Sequence, residues 1–232
     1  MDTKKIKADE KAFMMIIDQI VAHRIRPGDR IYEPDLAETL KLSRTPVRHA
    51  LSRLVAEGVL DKTKGRRGYT LPVLSKEDME EVFATRSALE GKAIEIAAGK
   101  VTDKDISYLR ELNERERSLF HLGRYKSEYA QVNEQFHSKI VELAGNRYLD
   151  RYFRQAYWRS SLYTFHFGLF YNIELDMPPE TAFPDSEHRT YREHRKIIDS
   201  LERRDGAGSR TLLEEHVYNT IVRRGVRFSA PI

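Results

Sequence analysis

Phe13, Ile16, Ile17, Ile20 and Val21 recur at the three- and four-residue spacing of one helix face, and the breaker "RPGD" ends the pattern. The spacing predicts a first helix over residues 9–24. "EPDLAETL" predicts a short second helix, with Pro34 in a first turn that needs no amide donor. After the connection "KLS", Val47, Ala50, Leu51, Leu54 and Val55 mark the buried face of a third helix. Ser43 is its expected N-cap, Pro46 falls in its first turn and Gly58 ends it. The period then drops to that of a strand. Tyr69, Leu71 and Val73 alternate, and "KGRRG" is a glycine-bounded turn between two short strands. From Ser75 onward the periodicity is helical again. "SKED" is a capping-box start for a helix to about residue 100. Further helices are expected over roughly 103–122, 124–145, 148–170, 186–203 and 209–224. The breaks are Gly145-Asn146, "DMPPETAFPD" and "RRDGAGS".

This order predicts a mainly α chain. Residues 1–74 form a winged helix-turn-helix with a small β-hairpin wing, on a core of its own. Residues 75–232 form an all-α bundle of about six helices. Composition narrows the picture. The 232 residues are 40% hydrophobic and 33% charged, which suits a globular chain rich in surface helix. There is no cysteine, so disulfides, thiolate-bound zinc and thiol nucleophiles are excluded. "MDTKKIKADEK" has no apolar core of a secretory signal, and no run approaches the ~18 apolar residues of a membrane span. A cytoplasmic protein without membrane contact is expected.

The net charge is only +4, but it is unevenly placed. Met1 to Val73 hold 15 Lys and Arg against 10 Asp and Glu, while the remainder holds 25 against 26. The local excess of base points to a polyanionic partner for the first third alone. Arg44 and Arg48 project together from the start of the third helix, where cations oppose the helix dipole. Thr45 and Ser52 share that side. A solvated face with a fortuitous arginine pair is the plain alternative. The helix-turn-helix order favours a recognition helix in the major groove, where arginine meets guanine O6 and N7 and phosphates offset the dipole. Lys62, Lys64, Arg66 and Arg67 form a second basic cluster at the hairpin tip, and Gly68 permits close approach.

The segment from "RIRPGDRIYEPDLAETL" through "SRTPVRHALSRLVAEGVL" to "GRRGYTLPV" resembles the winged-helix domain of the GntR family of bacterial transcription regulators. The resemblance implies that Ser43, Arg44, Thr45, Arg48, Lys64, Arg66, Arg67 and Gly68 contact double-stranded operator DNA. It implies a homodimer on a pseudo-palindromic site. Some members carry an arginine early in the second helix, where this chain has Pro34.

In the second part, three histidines interrupt apolar stripes. His137 lies with Phe136, Ile140, Val141 and Ala144, and Asn133 is one turn before it. His194 precedes Ile197, Ile198 and Leu201, and His216 falls among Leu212, Leu213, Val217 and Ile221. Taken singly, each is a hydrogen-bonded core residue. Taken together, neutral imidazoles from three helices suit a divalent ion. His121, His166 and His188 lack the pattern. Residues 75–225 are similar to the FCD effector domain of the FadR-like branch of the family. There, Asp-x-x-x-His and two later histidines hold a metal inside a helical bundle, with an organic acid on it. The resemblance implies Zn foremost, with Ni or Mn as alternatives, on Asn133, His137, His194 and His216, and a small carboxylate metabolite as effector. Asn133 stands where Asp is common and brings no charge. Arg86 and Glu90 fall on the apolar stripe of the first bundle helix, either as a buried ion pair or with Arg86 as a fork for an effector carboxylate. Arg159 is a second candidate for that task.

The expectation is a DNA-binding regulator, not an enzyme. A metal-dependent hydrolase fused to a DNA reader is the rival, because an open metal position activates water. No carboxylate near the three histidines stands in a clear general-base position, which weighs against it. A third alternative keeps the reader and makes the bundle a metal-free dimerisation module.

Overall fold

A computed structural model of the chain describes residues 3–63, 68–122, 126–167 and 189–220. Lys64, Arg66, Arg67, His188 and Ile221, and the "DMPPETAFPD" break, lie outside them.

Helix α1 (Thr3–Val21) starts ahead of the apolar stripe, because "TKKIKADEK" is composed mostly of good helix formers. Helix α2 (Glu33–Leu40) has Pro34 in its first turn, and Lys41 caps it in the left-handed conformation. Helix α3 (Arg44–Ala56) buries Val47, Ala50, Leu51 and Leu54. Ser43 holds the N-cap position, but its hydroxyl makes no capping hydrogen bond. The first-turn amides of α3 therefore lack the closure that the sequence leads one to expect.

The wing gains a strand. β1 (Arg30–Ile31), β2 (Asp61–Lys62) and β3 (Tyr69–Thr70) form an antiparallel sheet in the order β1-β3-β2. Arg30 faces Thr70 in register, and so does Asp61. Two residues of β1 are too few to show a period, which is why alternation alone does not reveal it. Val73 is 62% exposed and outside the sheet, because Pro72 has no amide to continue the ladder.

The bundle comprises α4 (Lys76–Ala98), α5 (Asp103–Leu122), α6 (Lys126–Ala144), α7 (Arg147–Phe167), α8 (Arg189–Glu202) and α9 (Gly206–Asn219). Ser75 Oγ accepts the Asp78 amide at 3.1 Å, so the start of α4 is capped as expected. Gly91 lets α9 lie close on α4, since a Cβ there would fall 2.4 Å from the Glu214 carboxylate. Phe83, Ile94, Leu109, Phe136, Ile140, Ile197 and Leu213 fill the interior.

The winged helix does not keep a separate core. The cluster of Phe13, Ile17, Leu51 and Leu54 continues into Ala130 and Val141 of α6 and Phe153, Trp158, Leu162 and Phe165 of α7. Phe13 meets Trp158 edge to face, with ring centroids 5.3 Å apart. The Arg53 guanidinium covers the other ring contact of Phe13 at 3.9 Å and bridges Glu10 and Glu57. Gln155 Nε2 donates to the Ala56 carbonyl at 3.2 Å. At the end of α1, His23 stacks on His166 and its Nε2 bonds the Phe165 carbonyl at 3.3 Å.

Trp158 is the chain's single tryptophan, so its fluorescence reports this joint. Phe13→Ala is expected to cost about 3–5 kcal/mol, the usual loss for a buried phenylalanine. Urea unfolding followed by tryptophan emission and by circular dichroism should move together. An emission change without a shift of the unfolding midpoint would mean that the joint contributes no stability.

Candidate functional site

His137 reaches the interior from α6, His194 from α8 and His216 from α9. Each is fully or nearly fully buried. Their ring centroids are 5.3, 5.4 and 4.7 Å apart, and one ligand atom of each lies within 4.8 Å of the others. His194 Nε2 and His216 Nε2 are 3.2 Å apart. Among the described residues, buried His137 Nε2 has no hydrogen-bond partner.

The opposite ring nitrogen of each histidine is engaged by a carboxylate. His137 Nδ1 lies 2.5 Å from Glu90 Oε2, His194 Nδ1 2.8 Å from Glu116 Oε2, and His216 Nδ1 2.8 Å from Glu193 Oε2. The second oxygen of each carboxylate is held in turn. Arg86 Nε donates to Glu90 at 2.5 Å, Asn133 Nδ2 to Glu116 at 2.6 Å, and Arg189 Nε to Glu193 at 2.5 Å. None of these carboxylates stands in a general-base position toward the cluster. They lie on the Nδ1 side, away from the Nε2 atoms, where they fix ring orientation and do not face an open position.

Burial alone would raise the Glu90 carboxyl; the Arg86 guanidinium, then the His137 ring, overcome it and hold the group ionised. Burial likewise works against Glu116, and His194 and Asn133 hold it down. Glu193 is held at about 2 against burial by His216 and Arg189. Burial depresses His137 and, despite its bond to Glu193, His216 as well. These two rings are therefore neutral, the state in which imidazole binds a metal.

Sequence periodicity already marks Glu90 but ties it only to Arg86. It offers the same signal for Glu116, which falls with Asn113 on the apolar stripe of Ile106, Leu109 and Leu112. Glu193 gives no such signal, because it reaches His216 on another helix and not its sequence neighbour His194.

A cavity of about 60 Å³ adjoins the histidines, lined by Arg86, Asn133, His137, Tyr157, Thr190 and His216 among others. That is the share of about two liquid waters. Arg86 donates Nη1 to Ser160 Oγ and lies over the Tyr157 ring at 4.4 Å, so the expected ion pair with Glu90 is present and the same side chain faces the cavity. Asn133 lines the cavity too, but its oxygen accepts from the Tyr157 hydroxyl at 2.9 Å while its nitrogen serves Glu116. An aspartate there would have no proton to donate to Glu116, which gives this chain a physical reason for its amide. Arg159 does not join the group. It stands two residues from both Tyr157 and Ser161, about 200° around α7, and pairs with Asp78 at 3.0 Å beside the Tyr163 hydroxyl.

The second constellation is on the winged helix. A concave surface of about 830 Å³ is lined by Tyr32, Arg44, Arg48, Lys62, Gly68 and Tyr69, with Glu33 and Asp35 at one edge. Ser43, Arg44, Thr45 and Arg48 are exposed, and among the described residues neither arginine has a salt-bridge partner. Uncapped amides and two free cations at the start of α3 favour an anion there. Gly68, at a φ of 149°, is required as glycine: a Cβ would sit 3.3 Å from the Ile31 carbonyl and the Tyr32 ring. Glu33 and Asp35 complement the dipole of α2 and make its first turn a poor neighbour for phosphate.

A winged helix joined to a helical bundle with a polar interior site defines a class of DNA-binding regulators, and the comparisons agree. Residues 81–219 match the FCD domain, and residues 9–69 match the bacterial regulatory proteins of the gntR family. The chain belongs to the GntR family, with an FCD domain as its C-terminal part, and is not an enzyme. It is 28% identical over 180 residues to the uncharacterised regulator YdhC of Bacillus subtilis, covering 78% of this chain and 74% of that one. It is 37% identical over 131 residues to the Nta operon transcriptional regulator of Aminobacter aminovorans, covering 56% and 60%. The solved structure of E. coli McbR/YncC superimposes with a TM-score of 0.73 at 24% identity, covering 96% and 97%. No helix among the described residues is long and apolar enough to cross a membrane.

Arg86→Ala leaves Glu90 buried without its guanidinium. A loss of about 3–5 kcal/mol in denaturant stability is expected. A loss below ~1 kcal/mol would show that water reaches the carboxylate.

Proposed function

We propose that this protein is a regulator of the FadR-like branch, in which residues 75–232 bind a divalent ion and a small organic acid that together set the operator affinity of residues 1–74. The observation that carries the reading is the orientation of the three imidazoles. All three Nδ1 atoms are engaged by carboxylates, which leaves the Nε2 side of each ring for an ion, and among the described residues His137 Nε2 has no hydrogen-bond partner. A buried ring nitrogen without a partner is costly, and a cation removes that cost. His137, His194 and His216 are the proposed ligands, with Zn first and Ni or Mn as alternatives. Asn133 lines the same cavity and is the proposed fourth residue of the site.

The anion follows from charge. Glu90, Glu116 and Glu193 oppose Arg86, Arg189 and a divalent ion, which leaves one positive charge in the cage. One carboxylate neutralises it, with Arg86 alongside. The cavity of about 60 Å³ admits little beyond that carboxylate, so a larger acid requires the helices to part. Parting would be felt by the reader, because α6 and α7 line the cavity and also pack on α1 through Trp158 and Phe165. Ser43, Arg44, Thr45, Arg48, Lys64, Arg66, Arg67 and Gly68 are the proposed DNA contacts, used by two copies on a pseudo-palindromic operator.

The metal half of the proposal is tested by elemental analysis of protein prepared without affinity-tag metal. About one divalent ion per chain is expected, and alanine at any of the three histidines should remove it. Protein that stays empty and takes up no added Zn, Ni or Mn would reduce the cluster to core histidines. With metal present, a panel of organic acids should contain one that changes affinity for an operator found by selection from random DNA; no response from any acid would leave the bundle as a dimerisation module.

For the reader, Arg48→Ala should cost about 1–3 kcal/mol on that operator and much less on random DNA. Equal losses on both would assign Arg48 to phosphate and not to a base.

A further inference from the structure

We infer that Glu90, Glu116 and Glu193 are positioning residues of the metal centre, and that Glu193, steadied by Arg189, braces α8 to α9 so that His194 and His216 present their Nε2 atoms to one ion. The inference rests on the metal reading above and extends it from the three ligands to the groups that aim them. Its basis is a repeated three-part arrangement: imidazole Nδ1, carboxylate, then a donor on the second oxygen, found at all three histidines with different donors each time.

Simple satisfaction of buried polar atoms does not account for it. Satisfaction would be better served if each ring had a donor or acceptor at both nitrogens, and here the Nε2 side is left deficient. Among the described residues His137 Nε2 has no partner, and His194 Nε2 and His216 Nε2 meet only each other. Each Nδ1 is engaged by a carboxylate, which leaves the Nε2 side of each ring for a ligand, and the three rings each bring one ligand nitrogen within 4.8 Å of the others. The arrangement is preorganised for a cation and poorly matched to its absence.

Glu193 is the informative member. It sits one residue before His194 on α8, yet holds His216 on α9. One side chain thus ties together the two ligands that lie 3.2 Å apart. Arg189, one turn earlier on α8, holds the other oxygen and limits the carboxylate to one rotamer. Both Glu193 and Arg189 are partly exposed, unlike Glu90 and Glu116, so they can be altered with little risk to folding.

Cobalt(II) is the probe, because its visible bands report coordination geometry as well as occupancy. In the full-length protein, Glu193→Ala should weaken Co²⁺ binding by about 10–100-fold and change the shape of the bands. Glu193→Gln, whose amide oxygen still accepts from Nδ1, should restore the band shape and part of the affinity. Arg189→Ala should give a smaller loss with an altered spectrum, and Glu202→Gln on the outer face of α8 should behave as wild type. A folded Glu193→Ala protein with wild-type affinity and bands overturns the inference. A uniform loss of affinity in Glu193→Ala and Glu202→Gln alike overturns it too, since that is remote charge and not aim. Wild-type protein that shows no Co²⁺ bands at all sinks the metal reading itself, and the two failures are thereby told apart. Should Glu193→Ala fail to fold, Arg189→Ala carries the test, and an unchanged spectrum there counts against the brace.

Discussion

Glu90 and Glu116 are ionised carboxylates with almost no contact with solvent, and taking such a group out of water costs several kcal/mol unless every oxygen is met by a donor. The bundle meets that demand with side chains from separate helices. Glu90 on α4 draws in Arg86 from its own helix and His137 from α6; Glu116 on α5 draws in Asn133 from α6 and His194 from α8. His216 of α9 closes the group through Glu193. An apolar bundle tolerates small slips between helices, but here a shift of α4, α5, α6 or α8 by one turn would leave a buried carboxylate short of a donor. The polar knot fixes the register of the helices, and the apolar residues around it supply the bulk of the burial.

The knot also explains why the bundle and the winged helix are mechanically linked. Helix α6 carries Asn133 and His137 on the same stripe as Ala130 and Val141, which belong to the core shared with α1, and Ala130 also lines the cavity. Helix α7 turns Tyr157 to the cavity while its neighbour Trp158 meets Phe13. Each helix thus contributes residues both to the sensor and to the joint. A rigid helix carries displacement from one to the other, and the packed interior resists absorbing it.

Most of the fold was legible in the sequence because long helices carry strong periodic signals. The three helices of the reader, the capped start of α4 and the later bundle helices fall close to where the apolar spacing puts them. The small elements were not. β1 has two residues, and its pairing with β3 is a long-range fact that no local pattern records. The cap at Ser43 is absent although the residue type is right, because the hydroxyl's choice depends on what faces it. Of the site, the histidines stood out as polar residues on apolar stripes, and Arg86 with Glu90 did so too. Glu116 carries the same mark. Glu193 could not have been found that way, since it is partly exposed and pairs across helices. Arg159 stands apart for a related reason: its aromatic surroundings in the chain suggest the interior, while its angular position on α7 turns it to Asp78.

The shared core at Phe13 and Trp158 has a consequence for how such a protein can diversify. Where a DNA reader and a sensor are beads on a string, recombination exchanges one for another freely, and the linker absorbs the mismatch. Here the end of α1, the C-terminal end of α3 and two helices of the bundle form a single packed surface, with Arg53, Gln155 and His23 stitching its rim. A foreign reader would have to reproduce that surface residue by residue before its DNA contacts mattered. New operators are therefore reached more easily by changing the exposed side chains at the start of α3, which touch none of this surface, than by exchanging the domain. The chain is built to evolve its address by point substitution and to inherit its joint intact.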